Sequence, residues 1–309
     1  HDNPCFVGFT AEKAVPQADL GLLVDVDVPW FPNKVQAAPD SFWAHIDVDT
    51  LKPGSPMWSF PGNLRMQGDS GQILEQVLEA LKAKVTPRFQ KAVAERLPRI
   101  KAARDERVDR AAKLAADKGK PGAINAHYVT SELAKLLDDE DMIFNEGITN
   151  AAAVYLQIPR RVPNTIVVAG GGGLGWSGGM ALGAKLAAPD RLMVQISGDG
   201  GFYFGNPTSV FAIAQQYKLP FLSIVLDNSG WNAVKQSTLR VYPEGEAKTA
   251  NEFEAELAPK VNFAKVAEAF DAHAEELTDP AEVPAALARC IKEVRNGRAA
   301  LLHVRVTKM

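Results

Sequence analysis

The stretch Val194–Gly205, VQISGDGGFYFG, runs from branched apolar residues into Gly198-Asp199-Gly200. Its first half has the composition of a buried strand. A carboxylate between two glycines stands where that strand should stop. Two readings account for it. Asp199 turns the chain or caps the next helix, as Gly-Asp-Gly commonly does. Otherwise its charge is aimed at a cation.

Outward from this stretch the sequence keeps one rhythm. AHYVTSELAKLL (126–137) reads as a helix and DMIFN (141–145) as a strand. GITNAAAVYLQ (147–157) is a helix and NTIVVAG (164–170) a strand, and GWSGGMALGAKLAA (175–188) is a helix before RLMVQIS (191–197). PTSVFAIAQQY (207–217) and PFLSIVLDN (220–228) repeat the pair, and after a loop come FAKVAEAF, AHAEEL, PAEVPAALARCIKEV and ALLHVRV, ending at Val306. Strands alternating with helices predict right-handed βαβ crossovers and an α/β, doubly wound parallel sheet. Such sheets bind ligands beyond the carboxyl ends of their strands.

The N-terminal part differs. LGLLVDVDV (20–28), WAHIDV (43–48) and NLRMQGD (63–69) read as strands, and SGQILEQVLEALKAK (70–84) as a helix capped by Ser70. Residues 1–84 therefore form a partial α/β domain. Residues 85–120 are charged and helix-prone, with acids among the bases, as in a solvated helical linker. Residues 121–309 are left as the ligand-binding domain.

Composition narrows the function. The chain has 309 residues, 46% apolar and 23% charged, as expected of about two soluble globular domains. A net charge of −3 argues against a nucleic-acid partner. There is no apolar run of membrane-spanning length and no signal peptide. Cys5 and Cys290, without a CxxC, suggest neither a disulfide framework nor a zinc site, and point to a reducing cytoplasm. The start, HDNPCFVGF, lacks an initiator Met, which implies processing or a longer parent protein.

Four loops follow strands: NEGITN (145–150), AGGGGLGWSGG (169–179), the opening Gly-Asp-Gly, and LDNSGW (226–231). All should lie on one sheet edge, where helix N-termini favour anions. Asp199 and Asn228 end successive strands and offer a carboxylate and an amide oxygen. Such hard oxygens suit Mg²⁺ or Ca²⁺, and Mg²⁺ commonly completes its shell with phosphate and water. A rival motif is Gly173-Leu174-Gly175-Trp176-Ser177-Gly178, which matches GxGxxG and has Asp199 further on as its acid. That reading makes the chain an NAD-dependent oxidoreductase and leaves Asn228 unexplained. No P-loop pattern is present.

Gly-Asp-Gly, twenty-seven residues (201–227) and Asn228 together resemble the signature of thiamine-diphosphate-dependent enzymes. The resemblance implies that Asp199, Asn228 and the main-chain oxygen of Gly230 hold Mg²⁺ against the diphosphate. Gly198, Gly200 and Gly201 would line the cofactor. GGLGWSGGMALGAKLAAPDRLMVQISGDGGF (172–202) is similar to the matching region of acetolactate synthase, benzoylformate decarboxylase and oxalyl-CoA decarboxylase. It implies that Leu174, beside Gly173, is the wedge that bends the cofactor. NEGITN resembles a diphosphate-contacting turn, implicating Ile148, Thr149 and Asn150.

Trp231, Asn232 and Lys235 are candidates to face the substrate, against the alternative of an ordinary solvated loop. Val234 stands where pyruvate decarboxylases have a glutamate; with Gln236 it looks more like acetolactate synthase, and Lys235 does not. Residues 1–84 look like the second half of the family's central domain, expected here to hold neither FAD nor ADP. The pyrimidine-binding domain, with the glutamate that protonates the cofactor, is not in this sequence. The resemblance thus implies a lyase or transferase acting on a 2-keto acid or related acyl donor, dependent on thiamine diphosphate and Mg²⁺. It also implies a homo-oligomer or a partner chain that supplies the missing domain. A noncatalytic subunit that keeps a cofactor-shaped site is the remaining alternative.

Overall fold

A computed structural model of the chain describes residues 1–52, 54, 60, 62–169, 172–257 and 261–308. Gly170 and Gly171 of the glycine loop lie outside them. The chain divides into two compact units, Asn3–Asp105 and Glu106–Met309 with His1–Asp2.

The first unit is a parallel sheet of β1 (Leu20–Val24), β2 (Phe42–Asp47) and β3 (Leu64–Gln67), in that order, followed by helix α1 (Ser70–Ala83). Trp30, Trp43 and Phe60 form an aromatic cluster with Val15. The strand expected over 20–28 stops at Val24, because Asp25 turns into a left-handed conformation. Ser70 is not the cap of α1. Asp69 fills that role, accepting from the Gln72 N–H at 2.9 Å, while the Ser70 hydroxyl bonds Asp25 at 2.6 Å. Helix α2 (Pro87–Ala116) carries the charged 85–120 stretch, and the division between the units falls inside it. Among the described residues, no helix is long and apolar enough to cross a membrane.

The second unit opens with a short antiparallel pair, β4 (Gly119–Lys120) and β5 (Ala123–Ile124). It then alternates: α3 (Ala126–Ala134), β6 (Met142–Glu146), α4 (Ala151–Gln157), β7 (Ile166–Val167), α5 (Ser177–Ala187) and β8 (Met193–Gly198). Helices α6 (Asp199–Phe204) and α7 (Pro207–Tyr217) lead to β9 (Leu222–Asp227). After α8 (Asn232–Val241), α9 (Glu246–Ala250) and α10 (Ala264–Glu268) come β10 (His273–Leu277), α11 (Val283–Arg295) and β11 (Ala300–Arg305). All six long-sheet strands are parallel, in the order β10-β11-β9-β8-β6-β7.

Both faces are covered, as a parallel sheet requires. Ile143, Ile196, Ile224 and Leu302 share one core with residues of α3, α4 and α11. Phe144, Met193, Val225 and Leu301 share the other with α5, α7 and α10. From β6 the chain steps outward to β7, then crosses to β8 on the other side of β6. The carboxyl ends of β6 and β8 thus flank a topological switch point, the usual ligand crevice of such sheets.

Three local expectations are corrected. Of the strand expected over 164–170, the described residues 164–169 are β at Ile166–Val167, and Gly170 lies outside them; the 147–157 helix opens with a 3₁₀ turn, Ile148–Asn150. The loop after β9 contains α8 and α9. No residue of either helix is buried, so hydrophobic spacing had little to mark them.

Phe221 is fully buried in the second core. Phe221→Ala should cost about 3–5 kcal/mol, read as a lower urea midpoint. Glu275 is held below the ordinary carboxylate range by the bidentate Arg289 guanidinium and then by His273. Its contribution is present above the unfolded carboxyl pKa and fades as pH falls through the lower folded value. Glu275→Gln should therefore flatten the acid limb of a stability–pH curve and leave a smaller slope there.

Candidate metal and phosphate site

Parallel strands bring four loops to one edge because every strand ends there. Adjacent β8 and β9 end in Gly198-Asp199 and Asp227-Asn228, and β6 ends in Glu146-Gly147. Asp199 begins α6 and is almost wholly buried. Its Oδ2 accepts from the Gly230 N–H at 2.8 Å, and its Oδ1 from the Gly200 N–H at 3.0 Å. The Asp227 carboxylate lies beside it. Burial first, then the charge of Asp227, pushes the Asp199 pKa up to about 7. Two backbone N–H groups do not balance that carboxylate. The edge holds an under-compensated buried acid, which is what a bound cation would relieve.

Asn228 is buried beside it, its Oδ1 accepting from the Gly230 N–H at 3.2 Å. Gly230 cannot carry a side chain, since a Cβ would come within 2.5 Å of the Ala255 carbonyl. The turn therefore gathers Asp199, Asn228 and Gly230. The donor types, carboxylate, amide oxygen and main-chain carbonyl, fit Mg²⁺.

The other expected residues surround this turn. Gly200 lets the indole of Trp231 lie against it, where a Cβ would be 2.4 Å from the ring. Trp231 also meets Phe204 edge-on at 5.4 Å. Gly201 faces the Glu146 side chain. Gly198 approaches the Gly147 carbonyl across the switch point. Ile148 (49% exposed), Thr149 and Asn150 form the 3₁₀ turn there, with Ile148 in a left-handed conformation. Leu174 is partly exposed, and a Cβ on Gly173 would meet open space. Asn232 opens α8, and Val234 on that helix is exposed. Lys235 is already engaged, its Nζ lying over the Phe253 ring at 4.9 Å.

Sequence reasoning missed Glu146. Its buried carboxylate accepts from the Gly175 N–H, from the Ser177 N–H at 3.1 Å and from the Ser177 hydroxyl. Gln195 backs that hydroxyl at 3.0 Å. The N-terminus of α5, where a dinucleotide would place its pyrophosphate, is thus filled by the protein's own anion. That argues against the GxGxxG reading. Asp227, His303 and Arg305 were missed as well. His303 and Arg305 alternate along a strand otherwise apolar, which was the available signal.

The family described as thiamine pyrophosphate enzyme, C-terminal TPP binding domain, matches residues 147–304. The acetolactate synthase isozyme 3 large subunit of Escherichia coli (strain K12) is 25% identical over 301 residues, 96% of this chain and 50% of that protein. Benzoylformate decarboxylase of Pseudomonas aeruginosa is 27% identical over 186 residues, 60% of this chain and 31% of that protein. The solved Rhodococcus jostii RHA1 thiamine diphosphate-dependent 4-hydroxybenzoylformate decarboxylase superposes with a TM-score of 0.69 over 96% of this chain and 50% of its own. At 17% identity that likeness speaks for the fold. The chain spans about half the length of the acetolactate synthase it matches. With the match covering just over half of its residues, the chain belongs to the thiamine pyrophosphate enzyme family, through that family's C-terminal TPP binding domain.

Proposed function

We propose that residues 121–309 bind the diphosphate of thiamine diphosphate through Mg²⁺, in an enzyme that breaks or forms a carbon–carbon bond next to a carbonyl. The observation that carries this is the buried, under-compensated Asp199 beside Asn228 and Gly230. The substrate class is a 2-keto acid or related acyl donor, as for the decarboxylase and synthase relatives. When bound, thiamine diphosphate supplies the nucleophilic carbon and electron sink.

The chain's own residues do the holding. Asp199, Asn228 and the Gly230 carbonyl would take Mg²⁺, and the 148–150 turn would face the diphosphate. Leu174 would press on the cofactor from the loop that Glu146 fixes. Trp231 closes the edge over Gly200 and keeps water from that side. Lys235, paired with Phe253, serves substrate only by leaving that ring.

Ile148, Leu174, Phe204 and Val234 leave apolar surface exposed on residues at or near this edge. An exposed apolar rim marks an interaction surface more often than a finished pocket. We assign the opposite wall to a pyrimidine-binding domain from a second copy or a partner chain. Residues 1–84 would belong to a central domain and 85–120 to its linker.

Calorimetry of thiamine diphosphate on this chain, with and without Mg²⁺, tests the assignment. Binding should require Mg²⁺ and be lost in Asp199→Ala. Binding that ignores both would overturn the metal site, and NAD(H) uptake in its place would restore the dinucleotide reading. Glu146→Gln turns an amide N–H₂ toward donors. It should cost about 1–3 kcal/mol, speed amide exchange at Gly175 and Ser177, and weaken cofactor binding. Unchanged exchange there would show that Glu146 does not hold the loop.

A further inference from the structure

Behind the candidate cation turn lies a polar network outside the proposed ligand set. Asp227 ends β9 and Arg305 ends β11, and the two are register partners on adjacent strands. The Arg305 Nη1 donates to Asp227 Oδ2. Its Nη2 donates to the Val261 carbonyl at 2.7 Å, and its Nε to Glu276 at 2.9 Å, so the guanidinium is fixed on three sides. His303, fully buried two residues earlier, lies 2.8 Å from the same Asp227 oxygen through Nε2.

The Phe263 N–H donates to His303 Nδ1 at 3.2 Å. A backbone N–H can only donate, so Nδ1 must accept and Nε2 carries the proton toward Asp227. Asp227 then uses its other oxygen to accept from the Ser229 N–H at 2.7 Å. That bond holds Ser229 in a left-handed conformation (φ 64°) and sets the turn. Ser229 and Trp231 next bond the 255–257 segment, through Leu257 N–H to Ser229 O and Trp231 N–H to Ala255 O. Neither bond uses the Gly230 carbonyl. Packing alone does not hold this turn. A small cavity adjoins Asp199 and Asp227, lined by Tyr203, Ser229, Val261, Phe263 and Arg305.

We infer that Asp227, His303 and Arg305 are positioning residues for the cation: they tie the 227–230 turn to β11, so that Asn228 and Gly230 present their oxygens beside Asp199. The inference rests on the metal reading proposed above. The Arg305 guanidinium and the His303 ring occupy one Asp227 oxygen and the Ser229 N–H the other, so its charge is answered by side chains of the protein and it acts through the turn, not as a ligand. Partners of this outer kind typically change metal affinity by about 10–100-fold.

The test is Mn²⁺ binding by the full chain in the presence of thiamine diphosphate, read by electron paramagnetic resonance. Each variant is first checked for a cooperative thermal melt. His303→Leu and Arg305→Met should weaken Mn²⁺ about 10–100-fold. His303→Gln keeps an N–H near the Nε2 position and should recover most of the loss. Asp199→Ala should abolish binding. If His303→Leu does not fold, Arg305→Met decides. Folded variants that bind as wild type, while Asp199→Ala does not, overturn the positioning role and leave the site standing. Wild-type chain that takes up no Mn²⁺, or Asp199→Ala that still does, overturns both.

Discussion

Asp199 is removed from water with its pKa pushed up to about 7, first by burial and then by Asp227. Burying an ionised carboxylate costs several kcal/mol unless partners return it. Most carboxylates in such places gain an arginine or several N–H donors. Asp199 gains two backbone N–H groups and a second acid. The rest of the edge is arranged around that deficit. Gly200 and Gly230 clear space that any side chain would fill, and the ends of β8 and β9 bring the amide of Asn228 alongside.

Three carboxylates end neighbouring strands, and they have different fates. Glu146 ends β6 and is satisfied within the protein by the start of α5. A helix N-terminus is a good partner for an anion, so this acid needs no cation. Asp227 ends β9 and is satisfied by His303 and Arg305. Of the three, Asp199, between them just past the end of β8, is left short. The same comparison explains why a GxGxxG loop is no guide here. Its Gly175 serves a close approach to the Phe204 backbone, and its helix start is closed by Glu146.

Much of this was legible in the sequence because it depends on local pattern. The strand–helix alternation fixed a parallel sheet, and glycines around Asp199 marked a strand end with space beside it. What was not legible depends on register between distant segments. Nothing near Asp227 says that Arg305, on β11, will stand opposite it. Glu146 sat inside a quoted loop, yet its partners lie beyond the intervening β7. Ser70 is read as the cap where Asp69 serves, because both residue types cap well and the two differ by one residue of phase. Helices α8 and α9 bury none of their residues, so the periodic signal that found the others was weak there.

The carboxyl edge also shows why the fold and the chemistry separate along the chain. A buried acid and a rim of exposed apolar side chains make opposite demands on solvent. On the proposed reading the acid takes a cation, and one parallel sheet can supply the ordered oxygens around it from its strand ends. The rim of Ile148, Leu174, Phe204 and Val234 needs a surface to exclude water. On the reading proposed above that surface comes from outside the sheet, since the ends of all six strands point toward the same side. A diphosphate anchored on the acid would place the rest of its ligand against that rim. Electrostatics then fixes one end of the ligand, and apolar contact with a second wall fixes the other.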